Sequence, residues 1–215
     1  MMRGDSPVQV LHEDADFVVV EKASGFLSVP GRGPEKQDCV CARVRERYPD
    51  CIRNPEVHRL DMDTSGLMVM ALNAEAQRNL SEQFRLRRTR KRYVALLDGR
   101  LEGQQGTIEL AFRLDLENRP RQIHDPEQGK LGITHWERLS IEEDWTRISF
   151  VPVTGRTHQL RVHAAHELGL GIPIVGDPLY GRGTGPGQLK LHACQLGFAH
   201  PRTGDALLFD SDPLF

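Results

Sequence analysis

Apolar and polar positions alternate in short runs along most of this chain, and the runs predict strands more often than helices. Val8–Leu11 and Phe17–Glu21 read as two strands around the polar turn His12–Asp16. Lys22–Pro34 is dense in Gly, Ser and Pro and reads as loop. Asp38–Tyr48 has helical spacing, with Val40 and Val44 on one face and Pro49 as the stop. After an irregular Glu56–Gly66, a strand is predicted at Leu67–Leu72, and Asn73 then caps a helix running to about Arg87. Strands dominate the second half, at Tyr93–Leu97, Thr107–Ala111, Gly132–Leu139, Trp145–Val153, Leu189–Phe198 and Ala206–Phe209. One helix interrupts them, from near Thr157 to near Gly169. Runs of strands with segregated helices predict an α+β fold: a large mixed, mainly antiparallel sheet with flanking helices. No repeat or linker divides the pattern, so residues 8–215 are expected to form one domain after a short polar tail, residues 1–7.

The 215 residues suffice to bury a sizeable core. No secretory signal opens the chain and no apolar run has the length of a membrane span, which makes the cytoplasm the default compartment. The four cysteines, Cys39, Cys41, Cys51 and Cys194, contain no CxxC pair and read as reduced thiols. A net charge of −2 does not favour nucleic acid, but its distribution does: in Arg85–Arg92, RLRRTRKR, six of eight side chains are cationic. Such a run is either a solvated helix end or a basic face for phosphates.

Three constellations carry candidate chemistry. His58-Arg-Leu-Asp-Met-Asp-Thr-Ser-Gly66 offers the carboxylates Asp61 and Asp63 and the cation Arg59 in a loop feeding a buried strand. The plain alternative is an Asp-rich turn that satisfies its own backbone amides. Thr154-Gly-Arg-Thr-His-Gln-Leu-Arg-Val-His163 places His158 and Arg161 three apart, on one face if the segment is helical. An inward Arg161 needs a carboxylate partner, and Asp61 is a candidate. Lys91-Arg-Tyr93 joins the basic run to a strand; Tyr93 is either core or a flat ring for a base.

Together HRLDMDTSG, KRY and GRTHQLRVH, followed by LKLHA at Leu189–Ala193, resemble the RluA family of pseudouridine synthases. The resemblance runs from about Val8 to Phe215. Leu27-Ser-Val-Pro-Gly-Arg32 and Asn118-Arg-Pro120 resemble the short members, which act on both 23S ribosomal RNA and the anticodon stem-loop of certain tRNAs. The S4-like RNA-binding domain of longer members is expected to be absent. The stretch His163–Asp177 is longer than in the short members, which bears on substrate identity.

The resemblance implies roles residue by residue. Asp61 is the catalytic aspartate, Tyr93 packs on the target uracil, and Arg161 pairs with the catalytic carboxylate. Arg59 enters the RNA helix as the uridine leaves it, and Leu191 lines the pocket. His58 of the same motif and Arg87, Arg88 and Arg92 of the basic run are expected to bind substrate. The reaction breaks the N1–C1′ bond, turns the uracil and joins C5 to C1′, so no cofactor and no metal is expected. Asp61 acts as nucleophile or removes the 2′ proton, and in either case it must be ionised. The target nucleotide must be flipped from its stack. The expected partner is RNA, with no membrane association and a monomeric enzyme. Two alternatives remain open: a metal-dependent transferase holding Mg²⁺ on Asp61 and Asp63, and a non-catalytic RNA-binding module. A zinc site on His158, His163 and His166 lacks a completing ligand.

Overall fold

The computed structural model describes residues 6–215; the first five residues of the expected tail lie outside them. Among the described residues the fold is α+β as predicted: ten strands, paired mainly antiparallel, with three α-helices. Contacts gather into two compact units, one of residues up to Arg90 with Ala193–Leu214, the other of Lys91–His192 with Phe215. The boundaries fall inside strands, so no linker composition marks them.

In the first unit, β1 (Val8–Glu13) and β2 (Phe17–Lys22) form a hairpin, with the turn reduced to Asp14–Asp16. β2 pairs antiparallel with β3 (Ser65–Ala71), register Lys22 to Gly66. The sheet runs β1-β2-β3-β9, and β10 (Ala206–Asp210) pairs with β9 (Leu191–Ala199). Between β2 and β3 lies α1 (Val40–Arg47), whose amino terminus is capped by the Cys39 sulfur, accepting from the Ala42 amide. α2 (Ala74–Arg85) is capped by Asn73 as predicted, its side chain accepting from the Ala76 amide. Ala76 and Leu80 of α2 pack with Phe17, Val19, Leu67, Val69, Leu196 and Phe198 to form the core of this unit. Because consecutive residues of β2 and β3 are buried on both faces of the sheet, these strands read as continuous apolar runs rather than alternations.

The second unit has the order β4-β8-β7-β5-β6, with β4 at Arg90–Leu97, β5 at Gln105–Leu114, β6 at Gln122–His124, β7 at Lys130–Glu142 and β8 at Trp145–Pro152. All these pairings are antiparallel. β6 was not predicted: three residues, Gln-Ile-His, are too few to show alternation. The helix expected over Thr157–Gly169 is α3, Gln159–Ala165, and is shorter at both ends. His158 is left-handed with φ 56°, so it precedes the helix and does not share a helical face with Arg161. After α3 the stretch to Asp177 is packed rather than free: Leu170 N–H donates to His163 O, Ile172 N–H to Ala164 O, and Ile174 is buried. Among the described residues no helix is long and apolar enough to cross a membrane.

Gly66 shows why the Thr64-Ser-Gly66 motif ends as it does. Its φ is +112°, and a Cβ there would lie 2.4 Å from Ala193 O and 2.6 Å from Ala193 N on β9. Backbone cannot yield as a flexible side chain can, so both the dihedral and the contact exclude a side chain. Gly66→Ala is expected to destabilise the protein by more than about 3 kcal/mol. Urea unfolding checks this; a loss below about 1 kcal/mol would mean that the close approach is not a real constraint.

Candidate active site

The first constellation is a loop held by its backbone. Ser28 Oγ donates to Leu60 O (2.7 Å) and accepts from Leu60 N (3.2 Å). Ser24 Oγ donates to Asp63 O, Gly25 N–H to Met62 O, and Thr64 N–H to Asp61 O. Lys22 Nζ donates to Met62 O at 2.7 Å, and to Ala23 O and Phe26 O. Ala23–Ser28 is therefore loop, as predicted, whereas Lys22 closes β2; together they satisfy backbone groups of Leu60, Met62 and Asp63. Backbone polar groups buried in a loop need such partners, and freed side chains follow.

His58 accepts the Val69 N–H on Nε2 (3.1 Å) and stacks on Phe84 with ring centroids 4.4 Å apart. With Nε2 accepting, the proton of the neutral ring sits on Nδ1. These contacts tie the motif to β3 and α2. Arg59 is exposed and Asp61 half-buried, whereas Asp63 is 6% exposed. Asp63 and Asp61 both face the ammonium of Lys22. Lys22 was read as part of an ordinary loop; its burial is the signal that sequence pattern does not carry.

The basic run is not one helix end. α2 stops at Arg85, Arg87 takes a left-handed φ of 58°, and the chain re-enters a strand at Arg90. Arg87 and Arg88 are exposed, and so is Arg92 on β4. In the second unit Tyr93 lies opposite Phe150 on β8 and is half-buried against the core of Ala95, Leu97, Ile148 and Phe150. Leu191 belongs to that core, at 3% exposure.

The GRTHQLRVH segment is stapled by Gln159. Its Oε1 accepts from Thr154 Oγ1 (2.7 Å) and Arg156 N (3.0 Å), and its Nε2 donates to Ile133 O and Thr134 Oγ1. Arg161, 2% exposed, donates from Nε and Nη2 to both oxygens of Asp177, at 2.8 and 2.6 Å. The carboxylate partner that this arginine required includes Asp177, sixteen residues along, which the sequence reading did not single out. Asp177 also accepts the Leu179 and Tyr180 amides. Tyr180 Oη accepts the Gln122 N–H (2.7 Å) and bonds His158 Nδ1 (2.9 Å), and the Arg161 guanidinium lies 5.3 Å from its ring centre. Burial pushes the Tyr180 hydroxyl up to about 12.

The three histidines considered for zinc do not form a ligand set. His158 is bonded to Tyr180, His166 Nδ1 accepts the Leu168 amide, and His163 is fully buried. Among the described residues the one grouping of metal-ligand type is Asp14, Asp16 and His200, where Asp16 is already held by Arg202 and Asn73.

Residues 16–166 match the family described as RNA pseudouridylate synthase, and the chain belongs to that family, isomerases that convert uridine in RNA to pseudouridine. Within it, the chain is 44% identical over 216 residues to the dual-specificity RNA pseudouridine synthase RluA of Pasteurella multocida (strain Pm70), covering 98% of this chain and 95% of that protein. It is 42% identical to the protein of that name from Escherichia coli (strain K12), covering 93% and 90%. Among solved structures, human RNA pseudouridylate synthase domain containing 1 superposes with a TM-score of 0.76 at 29% identity, over 99% of this chain and 86% of that one. Human RNA pseudouridylate synthase domain containing 4 shares the fold, with a TM-score of 0.75 at 23% identity over 95% and 88%.

His163 gives this region a pH signature. Both ring nitrogens are buried without a hydrogen-bond partner, and burial pulls its pKa from 6.5 to about 4. Between those values the unfolded chain holds more protons than the native one, so native stability falls as pH drops through that window. The loss is expected to reach on the order of 3 kcal/mol at pH 4. Urea unfolding of wild type and His163→Leu at pH 7 and pH 4.5 checks it: the acid loss should shrink in the variant, and an equal loss in both would reject the assignment.

Proposed function

We propose that this chain converts specific uridines in stem-loops of 23S ribosomal RNA and of the tRNA anticodon arm to pseudouridine, with Asp61 as catalytic carboxylate. The observation that carries the reading is the HRLDMDTSG loop, whose backbone is clasped while Asp61 stays half-buried and Arg59 exposed. An ionised carboxylate on a fixed backbone can trap or stabilise an electron-poor C1′, or take the 2′ proton. Tyr93 packs on the uracil, Arg161 supports the carboxylate, Leu191 bounds the pocket, and Arg59 fills the gap left by the flipped nucleotide. His58 holds the motif from behind. The two-RNA specificity is supported by the dual-specificity name of relatives matched over nearly their whole length. A catalytic domain cannot read sequence in the deep major groove of A-form RNA, so it selects a compact loop whose bases unstack easily. We read the enzyme as a cytoplasmic monomer that needs no cofactor. The magnesium alternative on Asp61 and Asp63 meets a buried ammonium, Lys22, facing the same two carboxylates.

Purified protein is expected to form pseudouridine in an isolated anticodon stem-loop and in free 23S RNA. Asp61→Asn should bind both and lower turnover by more than about a thousandfold. Near-normal turnover in that variant would overturn the assignment of Asp61. Activity on one ribosomal site alone, with none on any stem-loop, would reject dual specificity.

Arg87 and Arg88 are expected to contact phosphate. Neutralising both should weaken RNA binding and reduce the log–log salt slope by about 0.7 to 0.9 per lost contact. An unchanged slope would place them away from RNA.

A further inference from the structure

Tyr180 meets three parts of the second unit at once. Its Oη accepts the Gln122 N–H at 2.7 Å, on strand β6, and bonds His158 Nδ1 at 2.9 Å, directly before α3. Its own N–H donates to Asp177 Oδ1 at 3.1 Å, on the carboxylate that grips Arg161. Its ring centre lies 5.3 Å from the Arg161 guanidinium carbon. A tyrosine hydroxyl has one hydrogen to give. With a lone pair taken by the Gln122 amide, that hydrogen goes to His158 Nδ1, and the ring proton of His158 sits on Nε2. Burial pushes the hydroxyl up to about 12, so it keeps its hydrogen at working pH.

The bidentate pair with Asp177 fixes the edge of the Arg161 guanidinium. By itself it leaves the guanidinium free to tilt about that edge. The Tyr180 ring supplies a second point of contact, and such a contact strengthens where water is excluded; Arg161 is 2% exposed. The hydroxyl holds the far end of the ring, tying it to β6 and to the start of α3. A second guanidinium, that of the exposed Arg121, lies 5.5 Å from the same ring centre. The ring therefore has two cations it could serve, one buried and one open to solvent, and only the open one is placed to meet a phosphate.

We propose that Tyr180 is a positioning residue for Arg161, and that the rate of the chemical step, not RNA affinity, depends on it. This rests on the reading that Arg161 supports the catalytic carboxylate. The ring sets the tilt of the guanidinium, and the hydroxyl keeps the ring in place. Tyr180 acts through Arg161 without touching the uridine.

Single-turnover rates at saturating RNA, and RNA affinities, of wild type, Tyr180→Phe and Tyr180→Leu test this. They are read beside the hydrogen exchange of the Arg161 Nε–H and of the Gln122 amide. Tyr180→Leu, without ring or hydroxyl, should lower the rate by at least about tenfold, with affinity within about twofold of wild type and faster exchange at Arg161. Tyr180→Phe keeps the ring and should recover most of that rate, at about threefold below wild type, with faster exchange at both Gln122 and Arg161. A folded Tyr180→Leu with wild-type rate would overturn the proposal. So would an affinity that falls as far as the rate in either variant, which would assign the ring to Arg121 and RNA. If Tyr180→Leu does not fold, Tyr180→Phe decides alone: a wild-type rate, or a slowed rate with Arg161 exchange unchanged, overturns the proposal. If a folded Arg161→Met retains near-normal turnover, the reading of Arg161 has failed, whatever its exchange shows in the Tyr180 variants.

Discussion

A loop that carries reactive side chains has to leave its backbone amides and carbonyls somewhere, and away from water they cost free energy unless paired. In this synthase that requirement is met for Leu60, Met62 and Asp63 by one segment, Lys22–Ser28. Two serine hydroxyls, one glycine amide and one ammonium take up the polar groups of Leu60, Met62 and Asp63. The geometry of the HRLDMDTSG motif is in this sense borrowed from a stretch that carries no reacting group. Gly25 has its own reason: its φ of 80° lies in the left-handed region that a side chain disfavours.

The second unit solves a different problem, the burial of charge. Arg161 and Asp177 are both almost inaccessible, and taking two charges out of water is repaid only when geometry is good and the remaining donors and acceptors are met. Here the pair is bidentate, and the carboxylate also takes two backbone amides. Removing either partner would strand the other in the interior, which is the costly case. Gln159 plays the analogous part for the start of α3, closing four polar contacts with one amide side chain.

Much of this was legible in advance, for reasons that can be named. Alternation marked β1, β7 and β8, and Asn73 announced α2 because a short polar side chain before an apolar-periodic run has few other uses. The motifs HRLD and GRTHQLR were visible as patterns, and resemblance supplied their expected chemistry. What stayed hidden depends on contacts between distant positions. Lys22 looks like any lysine at a strand end until its exposure is known. Asp177 gives no local sign that it will meet Arg161. Cys39 as a helix cap departs from the usual Ser, Thr, Asp or Asn, and the left-handed turn at His158 shortens a helix whose apolar spacing alone would start it earlier.

Tyr180 ties several of these parts together, and it does so unevenly. Its hydroxyl takes the backbone amide of Gln122, while its ring packs beside the guanidiniums of Arg161 and Arg121. At position 122 only the peptide N–H matters to this contact, so any residue but proline can stand there. At position 180 the contact needs an aromatic ring ending in an oxygen at one reach, and phenylalanine would leave the amide unmet. Sequence drift in this enzyme should therefore be free on the hairpin side of the joint and narrow on the other, although the two residues share one hydrogen bond.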